Sequence, residues 1–194
     1  LRLQIPITDR GAVEVDLSAS LPFVWADRDS GVLCDALTIT ANTTVSSRDI
    51  SHHVFPPFLF LMTAAAAGEI PEGSLFAIHV AHGKGIATFK YCAWAPADAR
   101  QWLTQLIADY LGDGAMDLLP FGVLKFKALI QPWADEDFSD DDTETYPAEL
   151  TVALEKDQAA GHPKYRATDV HPVAAPTVPA DAFEKVRRRL GPIM

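Results

Sequence analysis

Residues 17–43 read Leu17-Ser18-Ala19-Ser20-Leu21-Pro22-Phe23-Val24-Trp25-Ala26-Asp27-Arg28-Asp29-Ser30-Gly31-Val32-Leu33-Cys34-Asp35-Ala36-Leu37-Thr38-Ile39-Thr40-Ala41-Asn42-Thr43. This stretch decides the fold. Leu21 to Trp25 and Val32 to Thr40 are rich in β-branched and aromatic residues, and Asp27 to Gly31 between them is turn-forming. Two such runs joined by a turn read as paired strands.

The strand–turn–strand outline resembles the active-site region of RecB-like nucleases of the PD-(D/E)XK superfamily. In that family the first strand ends in Gly-x-Ile-Asp and the second in Asp-Tyr-Lys-Thr-Gly. The best register lays Ala19-Ser20-Leu21-Pro22 on the first motif and Thr38-Ile39-Thr40-Ala41-Asn42 on the second. Pro22 and Thr38 then stand where the metal-binding carboxylates belong, and Thr40 where the lysine belongs. Phosphodiester hydrolysis of this kind needs a hard divalent cation held by carboxylate oxygens, which activates a water and neutralises the scissile phosphate. A proline and two threonines do not supply that chemistry, so the site reads as non-catalytic. A migrated site using Glu14, Asp16 or Asp35 is the competing possibility. Asp35 would put Leu37 at the lysine position.

Downstream the order of elements extends the resemblance. Pro57 opens a predicted buried helix through Phe58-Leu59-Phe60-Leu61-Met62 and four alanines, which Gly68 ends. Residues 44–56 read as a polar loop before it. Ser74 to Val80 and Ile86 to Ala93 predict a hairpin about Gly83-Lys84-Gly85. RecB-family nucleases have a similar helix–Gly–strand segment after their active-site strands. The segment Pro96 to Leu111 places Ala99, Trp102, Leu103, Leu106, Ile107, Tyr110 and Leu111 on one helical face. This helix, followed by Leu118-Leu119-Pro120-Phe121, and the closing Phe183 to Met194 are similar to the C-terminal region of the exodeoxyribonuclease V gamma-subunit family, RecC. The resemblance implies an α/β fold: a mixed β-sheet flanked by helices around a degenerate PD-(D/E)XK (restriction-endonuclease-like) core. It also implies a domain without catalysis inside an exodeoxyribonuclease V helicase–nuclease of double-strand break repair. There it would dock on the helicase–nuclease subunits of a RecBCD-type complex and help split or guide DNA. An unrelated α/β interaction domain is the remaining alternative.

The bulk properties narrow the partners. The 194 residues fit one nuclease-like domain with an irregular acidic and proline-rich segment at 135–179. Phe121 to Trp133 is a possible further helix, and Glu149 to Leu154 and Lys164 to Ala167 short ordered pieces. The first residue is Leu1, not methionine, from which a fragment of a longer protein is expected. No apolar run reaches the roughly 18 residues of a membrane span, and no signal peptide opens the chain, so a cytoplasmic protein without membrane partners is expected. Cys34 and Cys92 cannot build a four-thiolate centre, and a buried reduced pair with no cofactor is expected. A net charge of −10 leaves little intrinsic grip on a nucleic-acid backbone, so DNA affinity should be weak outside a complex.

Other candidates read structurally first. His79 and His82, three apart on a strand, point to opposite faces and make a poor metal pair. His52 and His53 are loop histidines, and the Asp135 to Glu144 run lacks the spacing and glycine of a calcium loop. A final helix from about Ala180 to Leu190 carries Lys185, Arg187, Arg188 and Arg189, cations that suit a helix C-terminus. Arg187, Arg188 and Arg189 are the candidates for nucleic-acid or partner contact.

Overall fold

The computed structural model describes residues 1–7, 11–20, 24–25, 34–45, 50–111, 148, 151–152 and 182–193. The chain divides into two compact units, Leu1–Gly112 and Asp113–Met194. In the first, β1 (Arg2–Ile7) and β2 (Gly11–Asp16) form an antiparallel ribbon, with Arg2 opposite Asp16 and Ile7 opposite Gly11. The pattern of β1 alternates, with Leu3 and Ile5 buried, and β1 packs against α2 (Pro96–Leu111). That is the period-2 signature of a strand with one wet face.

A four-stranded mixed sheet carries β3 (Val24–Trp25), β4 (Cys34–Ile39), β5 (Leu75–His82) and β6 (Gly85–Cys92) in that order. β3–β4 and β5–β6 are antiparallel, whereas β4 and β5 run parallel. Parallel neighbours need a crossover. It is supplied by a π-helical turn, Ile50–Val54, running into α1 (Phe55–Ala67). Helical structure thus begins before Pro57, inside the stretch expected to be loop. Prolines 56 and 57 fall in the first turn, where a missing N–H costs nothing.

α1 is apolar nearly all round, and Phe58, Leu61, Met62 and Ala65 are fully buried. Such a helix is stable only when covered on most sides. Its cover includes α2 and one face of the sheet. Phe58 meets Tyr91 of β6 edge-to-face at 5.0 Å and Trp102 of α2 at 5.6 Å between ring centroids. Gly68 ends α1 in the left-handed conformation at φ 75°, and the Gly68 and Glu69 N–H groups donate to the Ala65 and Ala64 carbonyls.

The covered face of the sheet is formed by Ala36, Phe76, Ile78 and Val80, all buried. Leu61, Phe76, Ile78, Trp102 and Leu103 are buried, whereas Leu37, Phe60, Leu106 and Ile107 are only half-buried. The side chains of Leu21, Phe23, Val24 and Leu33 lie outside the described residues, as do the expected pieces at 121–133, 135–144, 164–167 and 172–179. Cys92 is an exposed free thiol, not a buried one, because it falls on the wet face of β6. In the second unit, α3 (Ala182–Leu190) leads into a 3-10 turn, Gly191–Ile193, with Val186, Leu190 and Ile193 buried. Among the described residues no helix is long and apolar enough to cross a membrane.

Candidate functional site

The predicted site falls where β4 ends beside β5. Thr38 stands opposite Val80, and the Thr40 N–H donates to the Ala81 carbonyl at 2.9 Å, so the ladder continues past the strand. Thr38 and Thr40 are two apart and share one face, as the carboxylate and lysine of the resembling motif would. The Thr38 hydroxyl lies 3.4 Å from the His53 carbonyl of the π-helical turn and 3.5 Å from the His79 carbonyl of β5. Both are long donor contacts to backbone oxygens. Thr40 is buried, and its Oγ1 accepts the Asn42 N–H at 3.3 Å. Two hydroxyls occupied with backbone groups supply no anionic oxygen themselves. Pro22 lies outside the described residues.

Two of the migrated carboxylates take other partners. Glu14 and Asp16 sit on the ribbon, where Arg2 reaches Glu14 at 3.4 Å and Asp16 at 3.0 Å, and the Gln4 amide donates to Glu14 at 2.9 Å. Asp35 occupies the register position between Trp25 and Ala77. Among the described residues no three His, Cys, Asp or Glu side chains converge to hold a metal. No family model, curated protein or solved structure matches this chain.

The histidines take local partners. His79 Nδ1 and the Thr88 hydroxyl are 3.0 Å apart across the β5–β6 pair. His82 Nδ1 lies 3.0 Å from the Thr43 carbonyl and 3.3 Å from the Lys84 N–H, joining the segment after β4 to the hairpin turn. His52 and His53 belong to the π-helical turn, with ring centroids 6.5 Å apart. Tyr91, from β6, faces the aromatic cluster, and burial pushes its phenol above the ordinary value.

A cavity of about 250 Å3 opens elsewhere, between α1 and residues 17–19, lined by Leu17, Ala19, Phe60, Thr63, Ala64 and Glu69 among others. Among the described residues Glu69 is the one side-chain carboxylate that lines it, Ser18 lines it too, and the Thr63 hydroxyl already donates to the Leu59 carbonyl.

The arginine candidates separate. Arg187 and Arg188 are exposed on α3, while Arg189 is 7% exposed and belongs to the packed side of the helix. A different cationic surface lay unremarked in the sequence. From Leu75 to Cys92 the hairpin carries His79, His82, Lys84 and Lys90 and no carboxylate, although the chain as a whole is at −10. Counting charge per element rather than per chain would have revealed it.

Proposed function

We propose that this chain is a non-catalytic, nuclease-like domain of an exodeoxyribonuclease V type helicase–nuclease, akin to the C-terminal domain of the RecC gamma subunit. In this reading its PD-(D/E)XK core is degenerate. It scaffolds the helicase–nuclease partner and guides or splits DNA during double-strand break repair. The observation that carries the reading is a conjunction. An antiparallel strand pair, β3–β4, is followed by a helix ended at Gly68 and by a strand parallel to β4. At the end of β4, on the face where a carboxylate and a lysine would hold metal and phosphate, stand Thr38 and Thr40, bonded to backbone.

That arrangement gives shape without chemistry. A divalent cation prefers several hard oxygens with charge among them, and two occupied hydroxyls do not draw it from water. The fold then serves as a rigid body against which a partner and a strand are held. Arg2 ties up Glu14 and Asp16, which weighs against the active-nuclease alternative on those two carboxylates.

The test has two arms. Incubated with magnesium or manganese, the chain should leave linear duplex and single-stranded DNA intact; cleavage lost on Asp35→Ala or Asp16→Ala would restore an active site. Coexpressed with a helicase–nuclease subunit of the exodeoxyribonuclease V type and the remainder of a gamma subunit, it should co-purify as a complex. Its consistent failure to assemble would remove the family reading.

A further inference from the structure

The β5–β6 hairpin is a regular ladder with no bulge: Leu75 pairs with Cys92 and each step holds to His82 with Gly85. Only Gly83 and Lys84 lie between the two strands, and the Ala93 N–H donates to the Ser74 carbonyl at 2.8 Å. In an antiparallel pair, alternate residues turn their N–H and C=O toward the neighbour and the others turn them away. The Ser74–Ala93 bond fixes which is which. Residues 85, 87, 89, 91 and 93 bond toward β5, so Ile86, Thr88 and Lys90 direct their backbone groups outward.

Among the described residues β6 is the last strand of the sheet and no backbone group meets its outer edge. The side chains of the same three residues stand on the open face, all exposed, with Ile86 at 65%. Across that face Ile86 is level with Ala81 and, on β4, with Ile39, which is 72% exposed. Lys84 and Lys90 are exposed and make no ion pair among the described residues. An eight-residue, unbulged strand with an open edge invites pairing by another extended chain.

We propose that β6 is a docking edge for an extended segment of a partner polypeptide in which acidic and apolar residues alternate, added antiparallel or parallel as a fifth strand. Backbone bonds to Ile86, Thr88 and Lys90 supply the affinity. Lys90 and Lys84 select carboxylates on the open face, and the apolar side chains fall on the opposite face, beside the half-buried Ala87 and Phe89. Charge decides between occupants. A second copy of this chain would bring another −10 to the interface, and at a Debye length of about 8 Å only the local cations favour an anionic segment. A nucleic-acid strand lacks the backbone donors and acceptors that match a sheet edge, and the His79 imidazole on this face is already bonded to the Thr88 hydroxyl. The inference stands on the strand edge and is independent of the nuclease-like reading.

The probe is the blocked peptide Thr-Val-Glu-Val-Glu-Val-Thr, titrated onto the full chain and followed by amide hydrogen exchange. Binding should slow exchange at Ile86, Thr88 and Lys90 selectively, and a version with lysine for glutamate should bind at least tenfold more weakly. Lys90→Glu should reverse that preference. Thr88→Pro should abolish binding by either peptide while circular dichroism stays unchanged, because the lost N–H points away from β5. Should Thr88→Pro fail to fold, the Lys90→Glu reversal decides. No binding, binding that leaves the three amides unprotected, or unaltered preference in Lys90→Glu would overturn the proposal. So would stronger protection by an oligothymidylate of equal charge, or concentration-dependent protection without peptide, which would mean self-association.

Discussion

Single residues join the elements of the first unit, and Arg100 does so most economically. From α2 its guanidinium donates to the Ala66 carbonyl at 3.0 Å and to the Arg2 carbonyl at 3.2 Å. The first acceptor is one of the last carbonyls of α1, which no intrahelical donor reaches, and a cation there also suits the helix dipole. Arg100→Ala should therefore cost roughly 1–3 kcal/mol, the range for losing charged hydrogen bonds to a part-buried group. Urea unfolding followed by tryptophan fluorescence measures it, and a loss below about 0.5 kcal/mol would show that water replaces the guanidinium. Tyr91 makes a second prediction through pH. Burial raises its phenol above the unfolded value of 10.0. The unfolded chain then releases this proton at lower pH than the folded one. The contribution is fully present below pH 10.0 and is lost as pH rises beyond it. Tyr91→Phe should flatten the alkaline fall in stability, read as melting temperature against pH from 9 to about 11. An unchanged slope would mean that other groups cause the fall.

At the scale of elements, α2 grades its apolar face from one end to the other. Trp102 and Leu103 are buried, Leu106 and Ile107 half-buried, and Tyr110 and Leu111 exposed. Leu103→Ala should cost about 2–5 kcal/mol as a core truncation, and Leu106→Ala clearly less, since its site already meets solvent. Equal losses in denaturant melts would contradict this gradient. The same helix marks how far the sequence could be read. Its period and its proline start predict Pro96–Leu111 as observed. The β5–β6 hairpin was equally legible, because alternation and a Gly-Lys-Gly turn are local signals. Burial depth was not legible, since it depends on which neighbours arrive. Periodicity finds the face of α2 but not where its cover stops. The π-helical turn was missed because Ile50-Ser51-His52-His53-Val54 carries no cap and no apolar period. Of the candidate site, the placement of Thr38 and Thr40 on one strand was readable from spacing. The backbone partners of Thr38, the His53 and His79 carbonyls, come from elements 15 and 41 residues away.

At the scale of the molecule, charge is unevenly distributed, and that sets what the exposed arginines can do. The chain carries 26 acidic side chains against 16 lysines and arginines, so any hold on a phosphate backbone depends on local clusters and fades with salt. α3 concentrates Arg187, Arg188 and Arg189 in its last turn, and Arg187 and Arg188 are exposed. Arg189 is 7% exposed beside the buried Val186 and Leu190 of the same helix, so truncating it removes buried packing of its stem. We expect Arg189→Ala to lower the stability of the folded chain by about 0.5–3 kcal/mol. Charge reversal at Arg187 and Arg188 should leave the melting temperature within about 2 °C, as surface substitutions usually do. If the helix end contacts DNA or a partner subunit within a larger complex, the double reversal should weaken assembly or strand binding there without unfolding the chain. If it is only a solvated face, assembly, unwinding and DNA binding will all be unchanged. A double mutant that unfolds would assign Arg187 or Arg188 to the packing that Arg189 already serves. Thermal melts beside salt-dependent DNA binding, run on both variants, separate the three cases.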